Sequence, residues 1–285
     1  MKTLVARCYI EWLTARAERI FFVYGMRRSG NHACVRWLAN ALEAERVVLR
    51  EGQVQDNFYS SSSGKTVFLN NITDISGWGY VKLLNRHRDK LRHARFVIIS
   101  VEDQAANYHR KWRIPRHSQK IAVRRGTLNV MASRFQSLNN LAQAGRDSGG
   151  HAMEAQFYSV LNSLLLAQEG SIWEFERWCG DNNWREAFLQ KLGLNCDIPP
   201  EMSDEGGGSS FSGTQVLPSI DQLVKRFAAV EPRRPWIEFI QSAARDHPEV
   251  FRQDELDAIH AVAHDRLAGE TEVPTLRAGA ATQQM

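Results

Sequence analysis

The chain has 285 residues, of which 43% are hydrophobic and 24% charged, a globular balance with enough length for one substantial core. A formal charge of +4 suits an anionic ligand and is too small to specify nucleic acid as the partner. Cys8, Cys34, Cys179 and Cys196 stand far apart without a CxxC pair, so they supply neither a zinc site nor a disulfide framework, and a reducing compartment is compatible with them.

In chain order, residues 1–18 read as a lead-in. Arg7, Glu11, Arg16, Glu18 and Arg19 interrupt its apolar residues, which leaves no signal-peptide core. No apolar run reaches 18 residues, so no transmembrane segment is expected. The expected location is cytoplasmic, with contact to a membrane surface left open. Residues 20–24, IFFVY, form a continuous apolar run ended by Gly25, the pattern of a strand buried on both faces. Beyond the turn, Cys34, Trp37, Leu38, Ala41 and Leu42 recur at helical spacing. Cys34 is expected to pack as a small core residue.

Short apolar runs follow at 47–49, 66–72, 95–100 and 121–125, and then a helical pattern over 127–145 carries Leu128, Met131, Phe135, Leu138 and Ala142. This alternation predicts an α/β fold of three layers, with a mostly parallel central sheet of P-loop NTPase-like topology. Beyond about residue 150 the chain reads as helix-rich and Trp-rich, a helical C-terminal half with helices near 219–229, 235–245 and 250–267. Residues 1–268 are expected to form a single domain that includes a Gly/Ser loop at 203–215, and residues 269–285 a disordered tail.

Gly25 and Gly30 have the G-x-x-x-x-G spacing of a phosphate-binding loop, and a strand before and a helix after supply the required context. Where a nucleoside triphosphatase continues with Lys and Ser or Thr, this chain has Asn31 and His32. Asn31 cannot neutralise a phosphate, and His32 is a poor magnesium ligand beside Arg27 and Arg28, so ATP hydrolysis is disfavoured. Arg27, Arg28, Ser29, Asn31 and His32 add donors suited to a multiply charged anion. The plainer reading is a glycine turn carrying two solvent-facing arginines.

The segment GMRRSGNHACVRWL resembles the 5′-phosphosulfate loop of sulfotransferases that use 3′-phosphoadenosine-5′-phosphosulfate (PAPS). The resemblance implies that Gly25, Arg27, Arg28, Ser29, Gly30, Asn31 and His32 bind the donor, with Arg28 where many members have a catalytic Lys. It also implies a second grip, on the 3′-phosphate, formed by an Arg at a strand end and a Ser eight residues later. IAVRRGTLNVMASRF offers Arg125 and Ser133, provided that Arg125 folds over the start of the helix. Asn129 and Arg134 are further candidates, Arg134 being expected to face solvent. The stretch GGGSSFSG at 206–213 is similar to the loop that closes over the nucleotide, giving Gly208, Ser209 and Phe211 as cofactor contacts; by composition alone it is a flexible linker.

The reaction so implied moves a sulfuryl group from PAPS to a hydroxyl or amine and needs no metal. Arg27 and Arg28, assisted by the helix amides and His32, would stabilise the leaving phosphate. A base is sought beyond the carboxyl ends of the strands, which yields Glu102 first, Asp103 second and Glu51 third. Each is equally read as an exposed loop carboxylate or a helix cap. The acceptor, a carbohydrate, glycolipid or other glycoconjugate, is a family-level expectation only. His87, His109 and His117 lie in basic stretches that read as solvated faces or, with Trp112, as an acceptor groove. Two other readings stay open: a P-loop nucleotide kinase or NTPase, and a non-catalytic anion-binding protein of the same fold.

Overall fold

A computed structural model describes residues 2–26, 28–44, 49–51, 58–70, 77–102, 114–134, 170–196, 198–200, 234–248 and 251–260. Seven strands form one sheet: β1 (Arg19–Gly25), β2 (Leu49–Glu51), β3 (Phe58–Ser61), β4 (Thr66–Asn70), β5 (Phe96–Glu102), β6 (Gln119–Arg124) and β7 (Ser171–Glu174). Their order is β2-β3-β4-β5-β1-β6-β7. From β4 to β7 all pairings are parallel, and β2 and β3 add an antiparallel edge. The first strand therefore sits between β5 and β6, and the connection from β5 to β6 must pass over it. That arrangement opens a crevice at the carboxyl end of β1.

Alternation along β1 supplies the two outer layers. Phe21 and Val23 face one core with α2 (Asn31–Glu43), α5 (Phe175–Gly180) and α6 (Asn182–Lys191). Ile20, Phe22 and Tyr24 face the other with α1 (Lys2–Leu13), α3 (Gly77–Arg86) and α4 (Arg88–His93). Helices thus cover both faces of a mostly parallel sheet, as the sequence pattern predicts. Every residue from Ile20 to Gly25 is buried, and full burial of a large apolar side chain contributes about 1.5–3 kcal/mol each. The start of β1 is tied down as well: Arg19 donates to the carbonyls of Leu192 and Gly193 where α6 ends.

Several boundaries differ from the expectation. The lead-in contains α1, whose Ala6, Ile10 and Leu13 are buried against the sheet. The run expected at 47–49 gives strand Leu49–Glu51, and β3 had no separate expectation because its polar residues mask the alternation. Residues 171–174, expected within a helical half, form β7, whose Trp173 is fully buried. The helix after β6 is described over 127–134, α7 is Arg234–Asp246, and residues 253–260 are helical. Phe135 to Ala142, the helix near 219–229, the loop at 203–215 and the tail at 269–285 lie outside the described residues. No helix among the described residues is long and apolar enough to cross a membrane. Cys34 is fully buried, and desolvation pushes its thiol well above the ordinary value, which makes it an inert packing residue.

Candidate anion site at the carboxyl end of the central strands

Three strand ends meet in register, Gly25 of β1 lying opposite Glu102 of β5 on one side and Val123 of β6 on the other. From Gly25 the chain makes a tight turn. The Ser29 amide and hydroxyl both donate to the Met26 carbonyl, at 3.0 and 2.6 Å. Arg28 is left-handed at φ 72°, a conformation that costs a non-glycine residue about 1 kcal/mol. Gly30, at φ 104°, serves as the N-cap of α2 and makes no side-chain capping bond. Its glycine is dictated twice, since a Cβ there would also stand 2.6 Å from Phe175 Cδ2. The start of α2 thus presents its first amides without a side-chain cap, the arrangement that favours an anion.

Two expected ligand side chains are turned inward. Asn31 is 3% exposed and donates from Nδ2 to Glu102 Oε1 at 3.1 Å, with its Oδ1 3.4 Å from Ser29 Oγ. Ser29 is 2% exposed. Both side chains therefore brace the turn from beneath, and what they can offer a ligand is backbone. Arg28 is half-buried, and His32 is partly exposed with its ring edge-to-face with Phe68 of β4. Arg27 and Asp103 lie outside the described residues, as do Gly208, Ser209 and Phe211.

On the β6 side, Arg125 folds over the start of the next helix, as the second grip requires. Its Nη1 donates to the Arg28 carbonyl at 2.7 Å and its Nη2 to Asn129 Oδ1 at 2.8 Å, while the guanidinium lies 4.7 Å from the Phe175 ring centroid. The two segments expected to hold opposite ends of a donor are thus in direct contact. Ser133 is 4% exposed within the helical residues 127–134. Arg134, expected to face solvent, is instead buried because the helix packs that side inward.

The start of that second helix differs from the start of α2. Gly126 N donates to Glu176 Oε1 at 2.9 Å, and Leu128 N to Glu255 Oε1 at 2.8 Å. Protein carboxylates occupy the place an anion would take. Burial pushes the Glu255 carboxyl above its ordinary value, against the lowering effect of amide bonds from Arg252 and Leu128. A cavity of about 170 Å³ opens here, lined by Arg124, Arg125 and Arg252 and by Glu174, Glu176 and Glu255.

No protein-family model, no curated protein and no solved structure matches this chain.

The other sequence candidates fall elsewhere. Glu51 sits on edge strand β2, four places from β1, which at about 4.8 Å per strand is roughly 19 Å away across the sheet. His87 stacks on Phe58 with ring centroids 3.7 Å apart, a packing role, and His117 is exposed. Phe175, Glu176 and Glu255 had no place in the sequence reading. The rule that located Glu102, an acid at a strand's carboxyl end, applies equally to SIWEFE, but only once that stretch is read as a strand.

Proposed function

We propose that the protein is a PAPS-dependent sulfotransferase, transferring a sulfuryl group to a hydroxyl or amine of an acceptor such as a saccharide or glycoconjugate. The observation that carries the reading is the 2.7 Å bond from Arg125 to the Arg28 carbonyl, which joins the two segments that resemble the family's phosphosulfate and 3′-phosphate grips. The uncapped start of α2 and the Arg28 side chain suit the 5′-phosphosulfate. As the acceptor oxygen or nitrogen attacks sulfur, the bond from sulfur to the 5′-phosphate oxygen breaks. The negative charge that grows on the leaving phosphate is met by the α2 amides and Arg28. The acceptor's proton passes to Glu102, whose carboxylate is tied to the loop through Asn31.

The expected result is that 3′-phosphoadenosine-5′-phosphate raises Tm without a divalent ion, by more than ATP with Mg²⁺ does, and that labelled PAPS transfers its label to an acceptor. A second reading, a nucleotide kinase, is favoured by one observation: Glu102 ends the strand beside Gly25, where an acid serves to hold a nucleotide's magnesium. Stronger stabilisation by ATP with Mg²⁺ would favour it. Tight nucleotide binding without transfer to any acceptor would favour a non-catalytic anion-binding protein.

A further inference from the structure

On the β6 side of the loop a chain of side chains runs inward from the third layer. Glu176 Oε1 accepts from Gly126 N at 2.9 Å and from Asn129 Nδ2 at 3.3 Å. Asn129 Oδ1 accepts from Arg125 Nη2, and Arg125 Nη1 donates to the Arg28 carbonyl. The amide of Asn129 has two orientations, and its neighbours choose between them. A carboxylate can only accept and a guanidinium can only donate, so the NH₂ must face Glu176 and the oxygen must face Arg125. The reversed amide would set oxygen against carboxylate and NH₂ against guanidinium.

The far end of this chain meets one peptide group. The Arg28–Ser29 peptide is held on both sides, its N–H donating to the Met26 carbonyl and its C=O accepting from Arg125. That peptide follows the left-handed Arg28 and precedes the cap of α2, so its plane sets where the Arg28 side chain and the α2 amides point. The other flank of the loop repeats the device, with Glu102 orienting Asn31.

We infer that Glu176 is a positioning residue for the anion loop: through Asn129 and Arg125 it holds the Arg28–Ser29 peptide in its binding conformation. Arg125 then contributes by shaping the loop as well as by meeting a ligand. The inference rests on the reading of the loop as a donor-phosphate site, but its structural half is testable without any nucleotide.

The test is hydrogen exchange on the full chain, free of ligand, for peptides covering residues 28–34 and 126–134, in Glu176→Ala, Glu176→Gln and Asn129→Ala. Gln keeps an acceptor toward Gly126 and Asn129 and should exchange like the parent. Glu176→Ala should speed exchange in both peptides by about tenfold, because the loop then opens locally. Asn129→Ala leaves the Glu176 bond to Gly126 in place and should speed exchange in the 28–34 peptide by a similar factor. Affinity for inorganic pyrophosphate, measured by calorimetry, should fall in step and recover in Glu176→Gln. Faster exchange confined to 126–134 would overturn the inference and reduce Glu176 to a helix cap. Should Glu176→Ala lose its cooperative melt, Asn129→Ala decides alone, with unchanged exchange at 28–34 refuting the relay. Failure of 3′-phosphoadenosine-5′-phosphate to bind would count against the donor reading and leave the exchange result standing.

Discussion

Gly25 and Glu102 are register partners across β1 and β5, and Asn31, whose side chain ties the turn after β1 to Glu102, occupies the space a β-carbon on Gly25 would need. That carbon would lie 2.6 Å from Asn31 Oδ1 and 2.9 Å from Val123 Cβ. Gly25→Ala should therefore displace Asn31 from Glu102 and destabilise the fold by about 1–3 kcal/mol, as overpacking does. Urea unfolding of the variant and the parent measures it.

Arg28 separates loop shape from loop charge. In Arg28→Gly, relief of the left-handed strain, about 1 kcal/mol, is offset by the similar entropic cost of glycine. Its Tm should stay within a few degrees of the parent. On the sulfotransferase reading its transfer rate should fall by about a hundredfold or more, because that reading sets the Arg28 cation against the leaving phosphate. Arg28→Ala should lose as much activity and, keeping the strain, melt no higher than the parent.

Glu102→Gln keeps an oxygen for Asn31 Nδ2 and removes the carboxylate that the proposed reaction uses as its base. If Glu102 is the general base of the proposed transfer, its loss should lower kcat by about 10²–10⁴-fold with KM for the donor little changed. An unaltered kcat would assign Glu102 to bracing alone.

Glu43 gives a prediction that does not depend on the site. Burial alone would raise its carboxyl, but hydrogen bonds from Ser63, Thr66 and Ser61, with the charge of Lys65, hold it below its ordinary value. Ser63 Oγ and Thr66 Oγ1 lie 2.6 and 2.5 Å from its two oxygens, tying the end of α2 to the turn between β3 and β4. A carboxyl lowered in the folded state stabilises above the ordinary value, about 4.3 for Glu, and stops doing so as pH falls through the lowered one. The parent should thus melt above Glu43→Gln at pH 7, and the gap in Tm should close on acidification below about pH 4. Scanning calorimetry across pH measures the closure.

What was legible in the sequence follows from how locally it is encoded. IFFVYG and RFVIIS announce buried parallel strands because no polar residue interrupts them, and the glycines at 25 and 30 announce the turn because their backbone demands are local. SIWE does not announce a strand because Glu is depleted in strands and the helical stretch that follows continues its pattern, so only its pairing with β6 decides. Spacing marks Ser29 and Asn31 as ligand donors, but which way Asn31 turns depends on Glu102, seventy-one residues further on. The same distance effect hid Glu176, whose importance comes from neighbours that no spacing rule connects to it.

Glu255 follows Leu128 by 127 residues, yet it supplies the acceptor for that residue's amide. During synthesis the sheet's central strands emerge first, and this acceptor leaves the ribosome 127 residues after the amide it serves. The helix start behind Arg125 therefore waits for the C-terminal stretch, and a nascent chain lacking it would carry the first glycine turn with an unfinished neighbour. The first glycine turn should gain its finished neighbour only once residue 255 has emerged.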